Sequence, residues 1–238
     1  MATIDAHNPV PGSAHGHGAD VDPNLPYHER YHAAHHFLDR EHEFDAVKMG
    51  VWLFLSTEIL LFSGMFCAYA IFRMLHPEAF VYGSHHLEVK WGLINTIVLL
   101  FSSWTVATAV RNAQLGQNAA LRRNLIITML CGVAFLVIKF VFEYSVKYEH
   151  GYLPGIFYRA PITDNPYEPM WWSVYWIATG IHATHVIGGV ALMAWLWWRA
   201  GKLHFGPKHF TAVEGVGLYW HIVDIVWIFL FPMLYLIH

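Results

Sequence analysis

The stretch Trp171–Trp198, "WWSVYWIATGIHATHVIGGVALMAWLWW", runs for 28 residues without a Lys, Arg, Asp or Glu. About 20 apolar residues of helix cross a hydrocarbon core, and tryptophan gathers where hydrocarbon meets headgroups. An uncharged run of this length with tryptophan at both ends reads as a membrane-spanning helix. Four more runs, roughly 49–75, 91–110, 124–147 and 215–237, are long and apolar enough to do the same. Composition agrees. Of 238 residues, 56% are hydrophobic and only 13% charged, where a soluble domain carries about a quarter charged. The expected fold is an all-α integral membrane protein, a five-helix bundle over 48–238 behind a polar arm over 1–47. No internal repeat is visible, and the connections are too short for a second domain.

Orientation follows from Lys and Arg. With the N-terminus inside, the cytoplasmic segments hold Arg30, Arg40, Lys48, Arg111, Arg122, Arg123, Arg199, Lys202 and Lys208; the outer ones hold only Arg73, Lys90, Lys147 and Arg159. The excess favours a cytoplasmic N-terminus and an external C-terminus. Net charge of −3 gives no reason to expect nucleic acid. Cys67 and Cys131 lie in apolar runs and imply neither disulfide nor zinc site. The arm is polar and His-rich, with neither a secretory apolar core nor the composition of a mitochondrial transit peptide. Within it, "HERYHAAHHFLDREH" places His28, His32, His35 and His36 where they could share a helical turn and a metal, although the composition reads as a soluble, partly disordered arm.

Charges inside the spans are the candidates for function. Glu58 sits in "LFLSTEILLF", although an ionised acid at mid-bilayer costs about 2.5–3.5 kcal/mol even on lenient scales. The third span carries Lys139 and Glu143, four apart and so on one face, where they can pair. The fifth carries His221 and Asp224, three apart. The fourth has His182 and His185 on one face and Gly180, Thr184 and Gly188 on the next, a small-residue series that would admit a close helix. His182, His185 and His221 invite a haem or metal reading, but hydrogen-bonded packing serves equally well. No nucleophile elbow, phosphate-binding glycine loop or zinc-protease motif occurs.

The residues then bring a family into view. "FLSTEILLFSGMFCAYAIF", "LINTIVLLFSSWTVA", "ATGIHATHVIGGVALM" and "RAGKLHFGPKHFTAVEGVGLYWHIVDIVWIFLFPMLYL" resemble, in order, the helices of cytochrome c oxidase subunit III. The resemblance runs from about residue 45 to the C-terminus, and "GLYWHIVDIVWIFLF" is its most specific segment. It implies an accessory subunit of a haem-copper terminal oxidase in the bacterial inner membrane, of the short five-helix kind that lacks the first two helices of longer members. In that family subunit III holds no haem or copper, packs on subunit I, keeps company with subunit II and other oxidase subunits, and can sit in a respiratory supercomplex.

By the same resemblance, Glu58 matches the family's intramembrane carboxylate, and Glu143 and Asp224 fall on acidic positions tied to proton handling. Lys139, His182, His185 and His221 match structural polar positions, and no metal ligand is implied. Arg199 and His204 match positions that touch phospholipid headgroups. Glu58 is expected to be buried against protein and lipid headgroups and protonated much of the time, so that the ionised cost is not met. Subunit III of a quinol oxidase and an accessory protein of nitric-oxide reductase are the nearest alternatives. A proton-coupled transporter relaying through Glu58, Glu143 and Asp224 is an alternative from another class. Against the transporter stand the missing inverted repeat and a single in-span proline, Pro232.

Overall fold

The computed structural model describes residues 40–161, 165–207 and 209–237, apart from the Arg40 side chain. The long helices are α1 (Arg40–Leu75), α3 (Val89–Gln114), α4 (Asn118–Ile138), α6 (Glu168–Ala200) and α7 (Thr211–Tyr235). Shorter elements are α2 (Pro77–His85), which follows α1, and α5 (Ser145–Glu149), joined to α4 by a π-helical turn, Lys139–Tyr144. No β-strand occurs among the described residues. Five segments are long and apolar enough to cross a membrane, with α4, the π turn and α5 acting as one. The histidine cluster 28–36 lies outside the described residues.

The apolar runs mark only the middle of each helix. At about 1.5 Å per residue, the 33 residues of α6 exceed a hydrocarbon core of about 30 Å, so its ends stand in the headgroup region. α1 begins at Arg40, inside the segment whose composition suggests an arm. Glu41 and Glu43 occupy its first turn, where acids complement the helix dipole. Hydrophobicity alone misses these turns because they are polar.

α3 and α4 form a tight hairpin. Gly116 adopts φ 71° after α3, and the Gln117 amide donates to the Asn112 carbonyl at 2.9 Å. Glycine takes this left-handed conformation without the cost a Cβ would bring. α4, α6 and α7 then close around Trp220, which is fully buried. A Cβ on Gly189 would lie 2.6 Å from the Trp220 ring, and one on Gly132 2.9 Å from it. The indole N–H donates to Ser102 at 3.0 Å, and that of Trp227 donates to Thr96 at 3.0 Å. The expected close-approach series is corrected here. Nothing lies within 4 Å of a Cβ on Gly180, Thr184 is exposed, and the nearest atom to one on Gly188 is the Tyr219 hydroxyl at 3.5 Å. The glycine that accepts a neighbour is Gly189, one position on.

At the far end, α1 and α2 hold the last turn of α7. The Tyr69 hydroxyl donates to the Met233 carbonyl, and Ser84 Oγ donates to the Ile237 carbonyl at 3.0 Å. Helix C-termini leave carbonyls without intrahelical partners, and these two side chains satisfy them in a setting where water is scarce.

Candidate functional site

The intramembrane polar residues fall into separate groups. The deepest is built by the π turn, whose i→i+5 hydrogen bonding widens the helix and lets Lys139 and Glu143 stack inward. Both are 1% exposed, and Lys139 Nζ lies 2.5 Å from Glu143 Oε2. The ammonium has three N–H donors, and all three are placed: on Glu143, on the Tyr235 hydroxyl at 2.6 Å and on the Tyr175 hydroxyl at 3.2 Å. Both tyrosines return their own O–H to Glu143 Oε2, Tyr175 at 2.8 Å. The rings of Trp227, Tyr175, Tyr235 and Tyr144 surround the cation at 5.0–5.8 Å, adding cation–π attraction in a dry setting. Spacing predicts that Lys139 and Glu143 meet. The two tyrosines, on α6 and α7, carry no sequence signal for it.

Glu58 has a partner that spacing does not predict. Its Oε2 lies 2.7 Å from His185 Nε2, joining α1 to α6 across 127 residues of sequence. The pair is 16% and 17% exposed for Glu58 and His185 respectively. The protein group that Glu58 meets is an imidazole. The other ring nitrogen, His185 Nδ1, sits 2.7 Å from the Ile181 carbonyl. A carbonyl only accepts, so Nδ1 carries a hydrogen. In a neutral imidazole Nε2 is then a lone pair, and Glu58 must supply the proton between them; in an imidazolium Nε2 donates to a carboxylate. Either way the pair holds one shared proton and no net charge, which avoids the desolvation of a lone ion. Phe62 packs on the imidazole at 4.9 Å, and the Tyr219 hydroxyl donates to the His185 carbonyl at 3.1 Å.

The remaining residues sit elsewhere. Ser103 of α3 bonds His221 Nδ1 at 2.7 Å and also interacts with Asp224. His182 is fully buried between Phe135 and Trp227, with neither ring nitrogen hydrogen-bonded. The three histidines thus occupy three different environments, and Glu58, Glu143 and Asp224 belong to three different hydrogen-bonded groups. Among the described residues, no three His, Cys, Asp or Glu side chains gather as a metal-ligand set. At the α6–α7 loop, Arg199 donates to His204 Nδ1 at 3.2 Å and its guanidinium covers Trp195. Burial, then the charges of Arg199 and Lys202, hold the His204 imidazole below its usual pKa, and the Arg122 guanidinium lies over Trp197 nearby.

The profile of one family, cytochrome c oxidase subunit III, matches residues 29–238. The chain belongs to that family. A cytochrome c oxidase subunit 3 of Corynebacterium diphtheriae is 36% identical over 193 residues, covering 80% of this chain and 88% of the relative. One from Synechocystis is 31% identical over 232 residues, covering 96% and 82%. One from Loxodonta africana is 32% identical over 199 residues, covering 80% and 69%. Membership makes this chain a multi-pass membrane subunit of a respiratory oxidase complex.

Proposed function

We propose that the chain is the accessory subunit III of a cytochrome c oxidase in the bacterial inner membrane, N-terminus inside, packed on subunit I beside subunit II. In this reading it carries no redox centre; haem and copper belong to its partners. It supports proton uptake and the turnover lifetime of the oxidase. The names of its relatives favour cytochrome c over quinol as the donor. The Glu58–His185 pair carries the proposal, because it holds a proton at a partly exposed site on the spanning helix least covered by the other described residues. Arg199 and Lys202 fit the inner headgroup region, where a basic residue gains about 1 kcal/mol, and Arg199 with His204 is proposed to meet phospholipid there.

The test is Glu58→Gln in the purified oxidase. The expected result is slower proton uptake or a shorter turnover lifetime with unchanged haem and copper spectra. Unchanged turnover, pumping and lifetime would make the pair structural only. Stripping this chain from the complex should yield a colourless fraction; haem travelling with it would reject the accessory reading.

A further inference from the structure

Lys147 is a buried cation whose surroundings the oxidase reading leaves unexplained. It lies in α5, one turn beyond Glu143, and is only 6% exposed. A lysine near a helix end ordinarily extends its ammonium into water, but this one turns inward, with Nζ 5.7 Å from the Tyr175 ring. Among the described residues no hydrogen bond or ion pair reaches its ammonium. The charges of Glu143 and Glu88 are felt there, yet neither closes to ion-pair distance, and Glu143 already accepts from Lys139. A buried cation without an anion is costly.

Lys147 opens into a recess of about 300 Å³ that it shares with His86, Val146, His150 and Tyr152. His86 Nδ1 is 3.0 Å from the Tyr82 carbonyl, and His150 Nδ1 is 2.7 Å from the Val146 carbonyl. Both Nδ1 atoms are therefore donors, so each Nε2 is an acceptor in the neutral ring and can donate to an anion only as an imidazolium. Tyr152 stands between the imidazoles, 5.4 Å from His86 and 6.1 Å from His150. The recess offers a lysine and two imidazoles, and none of its lining residues is an acid. Its floor continues onto an exposed apolar strip: Val146 is 43% exposed, and Phe142, one turn away and stacked on Trp91, is 44% exposed.

We propose that this recess binds a phosphate group, that of an anionic phospholipid, with Lys147 as its cation and the acyl chains lying over Val146 and Phe142. Lysine binds phosphate as a point charge, and the apolar strip beneath suits a lipid better than a solute. The site lies at the opposite end of the bundle from Arg199 and does not depend on the function proposed above.

The test uses the full chain in its native complex, purified in mild detergent, delipidated and incubated with phosphatidylglycerol. Native mass spectrometry then counts retained lipids on the intact complex, so each spectrum also reports that the chain is folded and assembled. The wild type should hold one phosphatidylglycerol more than Lys147→Gln, with affinity at the site lowered about tenfold or more. Lys147→Arg should keep that lipid, and His150→Ala should weaken it less. If inorganic phosphate in excess leaves the difference intact, the source is a lipid; if it abolishes the difference, the site takes phosphate from solution. Equal retention by the wild type and Lys147→Gln, or a carboxylate of a partner subunit found against Lys147, would overturn the proposal.

Discussion

The two acid–base pairs inside this membrane domain solve one problem in opposite ways. Lys139 and Glu143 are sealed, with every ammonium hydrogen placed and aromatic rings on all sides. Glu58 and His185 are left partly open and joined by a single bond. Their settings differ in the same sense. α1 is mostly uncovered by the other described helices, whereas α7, which supplies Tyr235 to the sealed pair, is mostly buried. A sealed pair fixes helices and cannot readily exchange its proton. An open pair contributes little to the fold and can exchange.

Breaking the sealed pair should have the largest effect. Lys139→Met strands Glu143 in the core and should cost about 3–5 kcal/mol, read as lost assembly or a lower unfolding midpoint of the purified complex. The double variant Lys139→Met with Glu143→Leu should recover most of that, since exchanging a whole buried pair for apolar groups is often neutral. A double variant as unstable as the single one would mean that the pair does more than brace. Tyr235→Phe removes one donor to Glu143 and one acceptor from Lys139, and should cost about 1–3 kcal/mol by the same measurement.

The smallest effect on stability should come from Glu58→Gln. Its amide can still donate to His185 Nε2, so the change should stay within about 1 kcal/mol, while the shared proton is lost. Infrared spectroscopy in heavy water sharpens the contrast. The Glu58–His185 proton should exchange early and the protons around Glu143 late. Equal exchange would erase the distinction between the pairs.

How much of this was legible in the sequence depends on the range of each interaction. The five spans follow from composition. The Lys139–Glu143 pairing follows from a spacing of four, although the π turn that aligns it is a backbone adjustment without a residue signature. The Glu58–His185 bond joins helices that are not consecutive, and helical periodicity does not say which faces meet. The adjacent glycines Gly188 and Gly189 show the same limit. They point about 100° apart, and only the position of Trp220 decides which one must lack a side chain.

The bonds from Tyr69 and Ser84 to the end of α7 bear on the order of events during synthesis. A chain emerges N-terminus first, so these hydroxyls wait through three further spans before the carbonyls of Met233 and Ile237 arrive. Until α7 inserts, α1 meets the later spans chiefly at His185 of α6, through Glu58 and Phe62. α7 thus brings the latch that secures α1, and a nascent chain stalled before it would leave α1 tied to the later spans chiefly at that one imidazole.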